Sequence, residues 1–162
     1  MNKKITVITI MILMVSVFLA TAGKRDEYLK AVSEKDPQTK FDLLKDYLTK
    51  YGNKKDKMMK FIYLNLSDSA YKLKYYDENI QYGELALQDP EVDPGNKLRV
   101  FFSLANSYYI TKKDFDKAIQ YAKSIIDLCK MLIEQAEKSD NQEQAEQQIL
   151  NYKKFYISPA HQ

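Results

Sequence analysis

The chain of 162 residues has no tryptophan, one cysteine and one histidine. A single cysteine, Cys129, excludes an intramolecular disulfide and a cysteine-based zinc cluster. It lies on an apolar helical stripe with no base placed nearby, so it reads as a buried structural thiol rather than a nucleophile. His161 stands next to the last residue, after Ser158-Pro159, where a side chain is solvated and neither catalytic nor metal-binding. Only four glycines and four prolines are present, which argues against a turn-rich β fold. There is no glycine-rich phosphate loop and no alternating strand pattern. Excess charge is also lacking: 25 basic against 22 acidic residues leave +3, with no basic footprint for nucleic acid. Carboxylates are scattered at helix-surface positions and alternate with lysine, the pattern of a solvated face rather than an acid/base pair. No catalytic set, cofactor site or metal site is expected, and the chain is not expected to be an enzyme.

The first 22 residues form a separate segment. Lys3 and Lys4 make a short basic region, Ile5 to Leu19 carries no charge, and Ala20-Thr21-Ala22 places small residues where a signal peptidase cuts, before Gly23. Residues 1–22 therefore read as an N-terminal signal peptide helix and residues 23–162 as the exported, periplasmic or secreted, domain. Removing Lys3 and Lys4 leaves 23 basic and 22 acidic residues, or +1. No cysteine follows the apolar run, which speaks against a lipidated N-terminus. The alternative is retention: Ile5 to Ala22 spans 18 residues, at the edge of what crosses a bilayer, and would tether the chain as a membrane adaptor.

Beyond Gly23 the pattern is helical. Apolar spacing and stop signals predict helices over 24–35, 37–51, 55–74, 77–88, 95–111, 115–138 and 141–157. On the fifth, Leu98, Phe101, Phe102, Ala105, Tyr108 and Tyr109 follow i, i+3, i+4, i+7; on the sixth a stripe runs from Ala118 and Ile119 to Ala136. Asp36-Pro37 and Asp93-Pro94 each pair a capping carboxylate with a proline suited to the first helical position, and Asp114 can cap the sixth helix. Gly52-Asn53 ends the second. Gln88 to Asn96 is the clearest loop.

One phrase occurs twice. Tyr76-Asp77-Glu78-Asn79-Ile80-Gln81-Tyr82 returns as Phe115-Asp116-Lys117-Ala118-Ile119-Gln120-Tyr121, an offset of 115 − 76 = 39 residues. Phe41, Leu43 and Tyr47 precede Ile80, Tyr82 and Ala86 by the same interval. A fixed period of this size points to stacked supersecondary units, each hiding an apolar face its neighbour cannot hide alone. Ile80 and Ile119 are then expected in equivalent surroundings.

The order of large, small and aromatic residues from Tyr63 through Ala70, Tyr76 and Ala86 to Pro90, and again from Phe102, resembles the tetratricopeptide repeat. The departures are a period of 39 rather than about 34, Ser67 and Asn106 where the family commonly has Gly or Ala on the first helix, and Asn79 and Lys40 where it commonly has Ala on the second. A period near 40 also falls close to HEAT-type repeats. The resemblance implies an all-α, right-handed α-solenoid of antiparallel helix pairs, with units about 24–52, 55–90 and 95–138 and a capping helix about 141–157. It also implies a concave groove lined by first helices: Phe61, Leu64, Asp68, Tyr71 and Lys72 in one unit, Val100, Ser103, Ser107, Ile110 and Thr111 in the next. Sites of this family that grip a C-terminal carboxylate use Lys, Arg and Asn; only Lys72 fits, so that ligand class is not supported. Asn65-Leu66-Ser67 matches a glycosylation pattern but falls mid-helix on a packing face. The function so implied is a non-enzymatic scaffold that binds a partner peptide or loop. The alternative is the N-terminal accessory region of a larger exported enzyme.

Overall fold

The computed structural model describes residues 23–52, 56–138 and 142–154. Their regular structure is helical, with no strand among them. The predicted signal peptide, residues 1–22, lies outside the described residues, as do 155–162 and His161 with them. No described helix is long and apolar enough to cross a membrane. The chain separates at residues 54 and 55 into two compact units.

The first unit holds α1 (residues 23–33) and α2 (Pro37–Tyr51). Asp36 starts α2: its carboxylate accepts from the Thr39 backbone N–H at 2.9 Å, and Pro37 occupies the first turn, where its missing N–H costs nothing. Phe41, Leu44 and Tyr47 recur at helical spacing on the buried face of α2, and Ala31 is buried on α1. The Tyr47 ring packs 6.0 Å from that of Tyr28 and 5.0 Å from that of Tyr51. Lys40 stands where the repeat pattern has alanine. It stays half-buried because its ammonium donates to the Val32 carbonyl at 2.8 Å, in the last turn of α1, where cations are favoured.

The second unit holds α3 (Met59–Lys72), α4 (Tyr76–Leu87), α5 (Pro94–Thr111), α6 (Phe115–Glu137) and α7 (Gln142–Tyr152). Each packs on the next, and α3 also touches α5. Ile62, Leu66, Leu98, Leu104 and Ile125 are out of solvent, each contributing roughly 1.5–3 kcal/mol. The turns after α3 and α5 are three residues long, so each pair folds back on itself. Both turns pass through the left-handed region without glycine, at Lys74 (φ 62) and Lys112 (φ 56). The longer connection after α4 is anchored at both ends of its arc. Val92 inserts into the core beside Leu64, Val100 and Leu104, and Lys60, 11% exposed, pairs with Glu91 at 3.0 Å and Asp89 at 3.6 Å. Asp93 and Asp114 cap α5 and α6 through the backbone N–H groups of Asn96 and Lys117, at 3.0 and 2.9 Å.

Helix limits differ from the sequence reading chiefly at α3, which begins at Met59 rather than residue 55. The repeated phrase opens α4 and α6, at Tyr76 and Phe115. Its inward positions agree, Asn79 and Ala118 both being buried. Its outward positions do not: Ile80 packs on the core, whereas Ile119 is 53% exposed. The expected equivalence fails there because α7 covers only the far half of α6, where Tyr152 packs on the Leu98, Ile125 and Cys129 cluster. Tyr109, expected on the apolar stripe of α5, is 66% exposed, its ring 6.2 Å from that of Phe115.

Candidate functional site

Because α4 lies behind them, α3 and α5 form the two walls of an open cavity of about 520 Å³. Its apolar surface includes Leu64 on α3 and Val100 on α5, both buried, and Phe102 on α5, with Phe61 39% exposed at one end. Tyr71 lines it half-buried, and desolvation raises its phenol above the usual range. Asp68 projects from α3 between two cations. One oxygen accepts from Lys72, one turn along the same helix, at 2.7 Å; the other accepts from Arg99, on the opposite wall, at 2.9 Å.

Below the cavity lies a buried polar cluster. Asn79 on α4 donates to the Ser67 hydroxyl at 2.8 Å, to the Ser67 carbonyl at 3.0 Å and to the Ser103 hydroxyl at 3.1 Å. Ser107 in turn donates to the Asn79 side-chain oxygen at 2.8 Å, and Ser103 to the Val100 carbonyl at 3.0 Å. The carboxamide thereby uses both its donor and its acceptor ends, the condition for burying such a group without penalty. Gly83 permits this closeness: a Cβ there would stand 2.9 Å from a Leu104 methyl and 3.2 Å from the Ser67 hydroxyl.

Seven of the ten predicted groove residues line this one cavity: Phe61, Leu64, Asp68, Tyr71, Lys72, Val100 and Ser103. The remaining three do not. Ser107 is wholly buried and committed to Asn79. Thr111 turns its hydroxyl back onto the Ser107 carbonyl at 2.7 Å. Ile110 is exposed beyond the end of the cavity. Spacing along α5 alone does not say which residues of one face a neighbouring helix covers, as α4 covers Ser107. Five further residues line it that the groove expectation did not include: Asn65, Ser67, Asn96, Arg99 and Phe102. Arg99 was within reach of the spacing rule, since it sits one turn before Ser103 on the same face.

On another face the Glu84 carboxylate of α4 gathers α5 and α6. It accepts from the Tyr108 hydroxyl and the Lys117 ammonium, both at 2.6 Å, and from the Tyr121 hydroxyl at 3.3 Å. Burial would raise the Glu84 carboxyl, but donation from Lys117 and Tyr108 outweighs it and holds the group below its ordinary value. Cys129 is buried, and desolvation pushes its thiol up to about 11, far from a reactive thiolate. No group of three His, Cys, Asp or Glu side chains placed to hold a metal exists among the described residues.

The cavity offers apolar side walls, hydroxyls at its base and one crosswise ion-paired carboxylate. No family model matches the chain, and no curated protein or solved structure does either.

Proposed function

We propose that the protein is a non-enzymatic interaction scaffold that receives an extended segment of a protein partner in the groove between α3 and α5. The helices are taken as a right-handed α-solenoid of tetratricopeptide-like pairs. The repeated phrase at the starts of α4 and α6 and the contact of α3 with α5 support that arrangement. A signal peptide at residues 1–22 would deliver the scaffold to the periplasm or outside the cell; N-terminal sequencing of exported protein starting at Gly23 supports cleavage, and a start at Met1 supports a membrane tether.

The observation that carries the reading is the cavity itself: a partly exposed Phe61 ring, buried Leu64 and Val100 walls, and polar groups from both helices around one opening. Interfaces of this kind take their affinity from aromatic and aliphatic anchors and their orientation from a few polar contacts. Replacing Phe61 by a photocrosslinking benzoylphenylalanine in intact cells tests it, with the same replacement at the exposed Gln81 as the control. A discrete protein adduct at position 61 that disappears on Tyr71→Ala supports the groove. Equal adducts at both positions, or none at 61, refute it.

A further inference from the structure

Resting on that reading, we infer that the segment received by the groove carries a carboxylate two to three residues from an apolar side chain. The charged groups lining the cavity are Asp68, Lys72 and Arg99: two cations face one carboxylate, and the site is one negative charge short. Asp68 is already divided between them, one oxygen each. Arg99 spends a single guanidinium nitrogen on it and is more than half exposed, which leaves the planar fork able to take a second carboxylate through two parallel bonds. A lysine or arginine on the ligand would instead add a third cation to a site where two already share one carboxylate.

Geometry sets the spacing. Leu64 and Phe61 precede Asp68 by four and seven residues on α3, hence by about 6 and 10 Å along the wall. An extended peptide advances about 3.3 Å per residue. An apolar side chain against Phe61 or Leu64 and a carboxylate at Arg99 and Lys72 are therefore about two to three residues apart. A small dicarboxylate would satisfy the charge and leave the apolar wall wet, which is why the carboxylate belongs to a peptide.

Selection of a random decapeptide phage library on the purified chain tests this. Enriched peptides are expected to place Asp or Glu two to three positions from Phe, Leu, Ile or Tyr. A synthetic copy of the strongest one should lose about tenfold in affinity on Lys72→Gln with Arg99→Gln, the worth of one charge-assisted contact. Its Asp→Asn form should bind both proteins alike, and succinate should not displace it. Both lysine and arginine positions are surface-exposed, and an unchanged melting curve confirms that the double variant folds. Enriched apolar peptides without an acidic position, or an acidic peptide indifferent to the double variant, overturn the inference and leave the groove intact. Displacement by succinate assigns the site to small anions and also overturns it. Absence of any enriched peptide sensitive to Phe61→Ala overturns the groove as well.

Discussion

Ser107 donates its hydroxyl to the Asn79 side-chain oxygen at 2.8 Å, across 28 residues of chain and entirely out of solvent. This bond ties α5 to α4, while the opposite end of the same carboxamide ties α4 to α3 through Ser67. Three helices thus converge on one side chain directly beneath the cavity.

Replacing Asn79 by Ala removes the shared partner of three buried hydroxyls. The loss is expected to be about 2–4 kcal/mol, from unsatisfied polar groups and the void together. Ser107→Ala should cost about 1–3 kcal/mol, since it leaves the buried Asn79 side-chain oxygen without its donor. Urea denaturation monitored by circular dichroism measures both; an Asn79→Ala midpoint equal to that of the parent would show that the cluster contributes nothing to stability.

Gly83→Ala sets two effects against each other. Alanine gains up to about 1 kcal/mol in a helix interior. Its methyl would, however, press on Leu104 at 2.9 Å in a packed core, and overpacking costs about 1–3 kcal/mol. Net destabilisation of about 1 kcal/mol is expected, with partial recovery in the Gly83→Ala, Leu104→Val double variant. A Gly83→Ala protein more stable than the parent contradicts the close approach.

Lys74 and Lys112 hold left-handed backbone at the ends of α3 and α5. A Cβ is disfavoured there by about 1–2 kcal/mol, and glycine escapes that strain at an entropic cost of its own. Lys112→Gly is therefore expected to raise stability by about 0.5–1 kcal/mol. Thermal unfolding decides it, and a lower Tm would mean that the Lys112 side chain matters more than its backbone.

The Glu84 cluster predicts pH dependence at both extremes. A carboxyl held below its ordinary 4.5 stabilises the fold above that pH and ceases to do so as pH falls through the lower folded value. The parent should exceed Glu84→Gln by about 1–2 kcal/mol at neutral pH, and the gap should close in acid. Tyr121 is pushed up to about 12, first by burial and then by the Glu84 charge. Its contribution is whole below the ordinary value of 10.0 and drains as pH rises through 12. Denaturation curves across pH, with phenolate absorbance at the alkaline end, measure both limbs; a gap that persists in acid contradicts the assigned role of Glu84.

Periodicity and capping chemistry made the helices legible. Asp36, Asp93 and Asp114 start α2, α5 and α6 as their side chains require, since a cap is a contact between near neighbours in the chain. The phrase repeated at an offset of 39 residues marks the starts of α4 and α6. Which residues line the cavity was legible where it follows the face of a single helix, as for Phe61, Leu64 and Asp68. What the sequence by itself determined is therefore local: which segments coil, where they stop, and which stripe of each is apolar. Tertiary structure alone decided that Ser107 turns inward while Arg99 reaches Asp68, that Asn79 is buried among three serines that bond it, and that Ile119 lacks the cover Ile80 has. Those outcomes depend on which helix lies opposite and how closely it approaches. Such distances arise between residues some thirty positions apart, and no spacing rule within one helix contains them.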